Sequence, residues 1–199
     1  VFIQGDDLIA RVTAQTCRQS GLSVVYTELL DFGGDEIYFK EEPSLVGKTF
    51  GDSLLQYEDS CVMGVQKKDG RVMLNPPMSD PIAQGDRIIA VSEDDSTLIA
   101  SGKRDFGIDA GAIRTGTAAQ QNPEKTLVLG WNRRAVKIIN ELGAYVPPGS
   151  TLHVLTDQAD GEEVVRKRCM GSKNQAVTYQ SGDTTDRATL EGLPLAAID

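Results

Sequence analysis

Histidine occurs once, at His153, tryptophan once, at Trp131, and cysteine only three times in 199 residues. The shortage removes most hydrolytic and zinc chemistry: the sequence has no Gly-x-Ser-x-Gly elbow, no Cys-x-x-Cys pair and no His-Glu-x-x-His helix. His153 falls inside a strand-like run, where a hydrogen-bonded structural imidazole is expected. Cys17, Cys61 and Cys169 are odd in number and far apart, which fits reduced intracellular thiols and not a disulfide framework. Cys61, in the strand-like run Cys61-Val-Met-Gly-Val65, is expected to pack as a small hydrophobe. With no nucleophile or base in place, the residues carry no hydrolase or dehydrogenase activity of their own.

Positive charge is also in deficit. The 29 acidic side chains outnumber 20 basic ones, for a formal charge of −9. Polyphosphate is repelled by such a chain, so nucleic acid is excluded as a partner. No apolar run approaches the roughly 20 residues that cross a bilayer, and no segment has the form of a signal peptide. The residues therefore read as soluble. The 40% hydrophobic content supplies one or two cores without a signature of disorder.

Along the chain, Asp6-Asp7 precede an amphipathic run from Leu8 to Ser20 that stops at Gly21, with acids at the start and glycine at the end as a helix requires. Asp31–Glu36 is a turn and Ile37-Tyr-Phe39 begins a strand. Leu45–Tyr57 reads as a short helix. Val62–Gln66 and Arg71–Leu74 flank Lys67-Lys-Asp-Gly70, a hairpin signal because glycine supplies the positive φ of a tight turn. Ile82–Val91 returns to that sheet, completing a small α+β module. Residues 99–124, rich in glycine and lacking periodicity, read as a linker.

A different pattern follows. Lys125-Thr-Leu-Val-Leu129 is a buried-strand run ending at Gly130; Trp131–Leu142 places Val136, Ile139 and Leu142 on one helical face; Ser150–Asp157 is a second strand ending in an acid. Ala176-Val-Thr-Tyr179 is a third strand, leading to Ser181–Asp186 and a short amphipathic segment around Leu190, Leu193 and Leu195. This is α/β order, the opening of a parallel nucleotide-fold sheet. A doubly wound sheet needs about five or six strands, so the chain reads as a fragment. Val1-Phe-Ile-Gln-Gly5 reads likewise as the tail of an apolar strand.

Several motifs fail on inspection. Gly47-Lys48-Thr49 resembles the end of a P-loop, but Glu42 stands where the first glycine belongs and would repel phosphate. Aligning Gly161 with the invariant glycine of a calcium loop puts Lys167 where a bidentate Glu is required. Glu93-Asp94-Asp95 reads as a solvated strand exit. The turn Gly130-Trp-Asn-Arg-Arg-Ala135 keeps only the first of three fingerprint glycines, against dinucleotide binding of the usual kind. Even so, Arg133 and Arg134 lie at a helix N-terminus, where both N–H groups and guanidinium charge favour an anion, and Asp157 is placed like an acid that binds a ribose hydroxyl. The candidate ligand-binding set is Gly130, Asn132, Arg133, Arg134, Asp157, Gly182 and Asp183, all at the carboxyl ends of the strands. Asp157 and Asp183 could accept hydroxyls or, if they converge, hold a cation. The competing reading is that Arg133 pairs with one of these acids across an empty crevice.

Gly21–Tyr38, Gly47-Lys-Thr-Phe50, Asp69-Gly-Arg-Val-Met-Leu-Asn-Pro-Pro77, Gly85-Asp86-Arg-Ile-Ile and Leu129-Gly-Trp-Asn-Arg-Arg134 together resemble the cytosolic region of CASTOR/POLLUX-type ion channels and their bacterial relatives. The resemblance spans nearly the whole chain. It implies tandem RCK-type regulatory domains: residues 1–21 as the end of a preceding Rossmann-like lobe and its crossover helix, 22–97 as a small α+β C-lobe, 98–124 as a linker, and 125–199 as the first half of a second Rossmann-like (TrkA-N-like) lobe. It further implies self-association into dimers and a tetrameric gating ring at the cytoplasmic face of the membrane, beneath a pore of the same chain that conducts potassium or another cation. Calcium, other cations or nucleotides are the implied ligands, and no metal-ligand motif transfers. The alternative is a soluble dinucleotide-dependent oxidoreductase whose catalytic half is absent. The amphipathic helix and the half-sheet both leave apolar surface that self-association would cover.

Overall fold

The computed structural model describes residues 4–114, 116, 121–193, 195 and 198. Two compact units divide the chain, Val1–Ser23 with Gly116–Asp199, and Val24–Thr115.

In the second of these, β1 (Glu36–Lys40), β2 (Cys61–Gln66), β3 (Val72–Leu74) and β4 (Arg87–Ser92) form an antiparallel sheet in the order β1-β4-β2-β3. The β2–β3 hairpin turns at Lys67–Gly70, where Gly70 has φ 87° and Lys67 N–H donates to Arg71 O at 2.8 Å. One face of the sheet carries the core, in which Leu45, Phe50, Val65, Ile88 and Leu98 are almost wholly buried. The turn before β4 is held by Asp86. Its carboxylate accepts from the N–H groups of Ala83 and Lys68, each at 3.0 Å, and from Lys67 Nζ at 2.9 Å. Burial alone would raise the Asp86 pKa; those three donors outweigh it and hold the group below its usual range.

The helix expected over residues 45–57 is not formed. Pro43–Leu45 is a single 3-10 turn and α3 is only Phe50–Ser53. Gly47 has φ 84°, outside helical space. The backbone between is spent on a distant segment: Gly47 N–H donates to Ile82 O (2.9 Å), Ile82 N–H to Lys48 O (2.9 Å), Phe50 N–H to Asp80 O (2.8 Å) and Gly51 N–H to Met78 O (2.9 Å). Groups so committed cannot close i to i−4 bonds. Thr49 and Asp52 form a capping box that starts α3. Leu22–Leu30, left without a type by its pattern, is helix α2, and none of its residues is buried. Cys61 is exposed, against expectation; it opens β2 on the face opposite buried Val62, and the buried thiol is Cys169, whose pKa burial pushes up.

The other unit contains α1 (Gly5–Arg18), β5 (Lys125–Leu129), α4 (Ala135–Tyr145), β6 (Ser150–Thr156), α5 (Gly161–Arg168), β7 (Gln175–Ser181) and α6 (Arg187–Glu191). The strands form a parallel sheet in the order β5-β6-β7, so the α/β and α+β reading of the two halves holds. Leu152, Val154 and Val177 meet Ile139 and Leu142 of α4, Val165 of α5 with Cys169 just after it, and Ala14 of α1. Ala10 and Ala14 are fully buried; their small side chains let α1 lie close to α4. On the opposite sheet face His153 bonds to Thr178 Oγ1 at 2.8 Å and Gln180 Oε1 at 3.2 Å, the satisfied imidazole expected. Gly5 opens a helix and not a strand tail; residues 1–3 of that expectation lie outside the described residues.

Candidate functional site

Parallel pairing sends the loops after β5, β6 and β7 out at one edge of the sheet. Leu129 is in register with Leu155, and Thr156 with Ser181. The next residues continue the contact: Gly130 N–H donates to Leu155 O at 2.9 Å, and Gly182 N–H to Thr156 O at 3.1 Å. The edge therefore assembles the Gly130 turn, Asp157 and the Gly182-Asp183 corner, as their positions in the sequence require.

Glycine shapes these turns, by backbone conformation at Gly130 and by close approach at Gly182 and Gly161. Gly130 has φ 81°, a conformation that L side chains rarely adopt. A Cβ on Gly182 would lie 2.8 Å from Thr189 Cγ2 and 3.0 Å from Leu155 Cδ1. Gly161 opens α5 beneath Tyr179, whose Cε2 a Cβ would approach to 2.9 Å. A cavity of about 320 Å³ lies against Gly130, Trp131, Asn132 and Ala135.

The polar groups have definite partners. Asn132 Oδ1 accepts from Arg134 N–H at 2.7 Å, fixing the turn ahead of α4. Helix α4 begins without a side-chain cap. Ala135 N–H donates to the Asn132 carbonyl at 3.0 Å, and no side-chain oxygen caps the N–H groups that follow it in the first turn. Asp183 accepts from both Thr185 N–H and Thr185 Oγ1 at 2.7 Å, and these bonds hold its pKa below the usual range. Asp157 is exposed at the end of β6.

Arg133 and Arg134 pair with neither Asp157 nor Asp183. Arg134 Nε donates to Asp6 Oδ1 at 2.8 Å and an Arg133 terminal nitrogen lies 3.3 Å from the same oxygen. Further ion pairs follow along the α1–α4 contact, with Arg11 to Glu141 at 3.1 Å and Lys137 to Asp7 at 4.0 Å. The competing reading, that Arg133 pairs with one of those two acids across the crevice, is therefore corrected: its partner is Asp6, at the start of α1. Asp6 is legible in the sequence only as a helix-start carboxylate; nothing local ties it to residues so far along the chain.

Among the described residues no group of three or more His, Cys, Asp or Glu side chains is placed to hold a metal ion. Glu93-Asp94-Asp95 lies in a turn in which Asp94 Oδ1 accepts from Ser96 N–H at 2.8 Å. No helix of the described residues is long and apolar enough to cross a membrane.

A family model described as Castor and Pollux, part of voltage-gated ion channel, matches residues 6–105. Among curated proteins, a probable ion channel POLLUX of Oryza sativa subsp. japonica is 30% identical over 203 residues, covering 97% of this chain and 20% of that protein. The ion channel POLLUX of Lotus japonicus is 29% identical over 200 residues, covering 97% and 22%. The ion channel CASTOR of Lotus japonicus is 29% identical over 201 residues, covering 97% and 23%. The chain spans about a fifth of the length of these relatives. Each is named an ion channel and none an enzyme.

Proposed function

The chain belongs to the Castor and Pollux family of ion channels, and on that footing we propose that it is part of a non-catalytic regulatory region of a cation channel, conducting potassium or another cation, at the cytoplasmic face of the membrane. Residues 22–97 act as the small lobe of one RCK-type domain whose larger lobe ends at 1–21, residues 98–124 link the domains, and 125–199 open the next nucleotide-fold lobe. Copies assemble through these lobes into a ring, and ligand binding biases the pore by changing how the lobes are placed.

The observation that carries this reading is the joining of the Gly130 turn, Asp157 and the Gly182-Asp183 corner at the carboxyl edge of the parallel sheet. Open parallel sheets bind ligands at that edge, and the uncapped start of α4 aims its positive end there. Calcium or a nucleotide is the ligand class. Arg133 and Arg134 suit an anionic group; Asp157 and Asp183 suit hydroxyls or a cation. No observation favours the oxidoreductase alternative.

Calorimetry with calcium and with adenine nucleotides tests the site, repeated on Asp157→Ala and Arg133→Ala. Binding by the parent chain that either change weakens supports it. No binding, or binding indifferent to both changes, removes it. Asp6→Asn, which frees both arginines, should raise affinity for an anionic ligand.

A further inference from the structure

The unit Val24–Thr115 contains a cleft of about 750 Å³ that no motif announces. One wall is the α3 segment and the other is the stretch after β4, at Gly102–Phe106. The walls are tied together by backbone. Ser101 N–H donates to Gln56 O at 2.7 Å, and Tyr57 bridges Ala100 in antiparallel fashion. Its volume lies within the range of small-molecule sites.

Three features define the chemistry. Lys48, Lys103 and Arg104 line the cleft, in a chain that is acidic overall. The one carboxylate in the lining, Asp52, is already engaged by Thr49 N–H at 2.9 Å and Thr49 Oγ1 at 2.8 Å. Phe106, half-buried, adds an aromatic ring. The third feature is Gln56, only 4% exposed, which lines the same cleft. Its Nε2 donates to Lys103 O at 3.1 Å. A carbonyl can only accept, so this bond fixes which end of the amide is nitrogen. Its Oε1 is left shielded from water without a hydrogen-bond partner. The Gln56–Lys103 bond ties the α3 segment to the Gly102–Phe106 wall.

We propose that this cleft binds a small phosphate ester bearing a planar ring, the chemistry of a nucleotide. The phosphate pairs with Lys48 and Arg104, where charge-assisted bonds are strongest. The ring lies on Phe106. Lys103 already pairs with Glu58, so it contributes less. The site uses residues of Val24–Thr115 alone and is independent of the carboxyl edge of the parallel sheet.

Titration calorimetry of the 199-residue chain with AMP, adenosine and inorganic phosphate tests it. AMP should bind more tightly than either fragment. Arg104→Gln should weaken AMP by about tenfold, the scale of one charge-assisted contact, and leave adenosine unchanged; Phe106→Leu should weaken AMP and adenosine and leave phosphate unchanged. In an Asp157→Ala background, which removes the sheet-edge contribution, the AMP binding that remains should still be weakened by Arg104→Gln and by Phe106→Leu. Both cleft residues are at the surface or half-buried, and circular dichroism checks that the variants fold. AMP binding no tighter than phosphate, no AMP binding, or AMP binding indifferent to both cleft changes overturns the proposal. Complete loss of AMP binding in Asp157→Ala assigns all of it to the sheet edge and overturns the proposal as well.

Discussion

A Cβ placed on Gly64 would collide with the Met73 carbonyl oxygen and lie 3.1 Å from Leu74 Cα. Both obstacles are backbone of the paired strand, and neither can rotate away. Gly64 also sits where β2 shifts register against β4, the usual place for glycine in a bulged strand. Gly64→Ala should therefore cost about 2 kcal/mol, measured as a lower urea midpoint; an unchanged midpoint would show that the hairpin can spread. Asp86 makes the complementary case, since its worth depends on charge. Asp86→Ala removes three hydrogen bonds from a residue 6% exposed and should cost about 2 kcal/mol at neutral pH. Its folded pKa is depressed, so the stabilisation is complete above the unfolded value of about 3.9 and is lost as pH falls through the lower folded value. The gap between parent and variant should accordingly hold above about pH 3.9 and narrow as pH falls below it. A gap independent of pH would mean that the bonds do not require the carboxylate charge.

Helix α2 buries no residue, and Val24, Val25 and Leu30 are 69%, 50% and 78% exposed, with Phe32 beyond it at 95%. Helix α1 covers part of its apolar face against α4 but leaves Leu8 and Ile9 at 51% and 44%. Apolar surface of this kind ordinarily finds a partner. Sedimentation should show concentration-dependent self-association, weakened by pairing Val25→Asp with Phe32→Asp; a strict monomer at high concentration contradicts the assembly reading. The same scale shows what a sequence reveals. Strands β1, β2, β5 and β6 and the Asp69-Gly70 hairpin were legible because runs of apolar residues and a glycine turn are local signals. Residues 45–57 misled because four backbone bonds to residues 78–82 decide their shape, and periodicity cannot report such distant partners. Helix α5, Gly161-Glu-Glu-Val-Val-Arg-Lys-Arg168, hid behind its charge: one buried valine, Val165, and one buried glycine are all it shows the core. At the candidate site the strand-end turns were legible from topology, whereas the Asp6 pairing, 128 residues away from Arg134, was not.

At the scale of the whole molecule, an antiparallel unit is inserted between α1 and the parallel sheet to which α1 belongs. Incubation with nicotinamide cofactors should give no turnover; turnover abolished by Asp157→Ala would overturn the channel reading. Asp6 gives this layout a thermodynamic consequence. One carboxylate serves two guanidiniums, so an incoming anion and helix α1 compete for the same charges. Reciprocity then requires that whatever affinity Asp6 takes from the anion, the bound anion takes from the docking of α1. Asp6 is 46% exposed, which limits such an ion pair to about 1 kcal/mol, or roughly fivefold in either equilibrium. A complete reversal of a two-state population needs about 5.5 kcal/mol. The Asp6 contact can thus grade a response but cannot throw one alone.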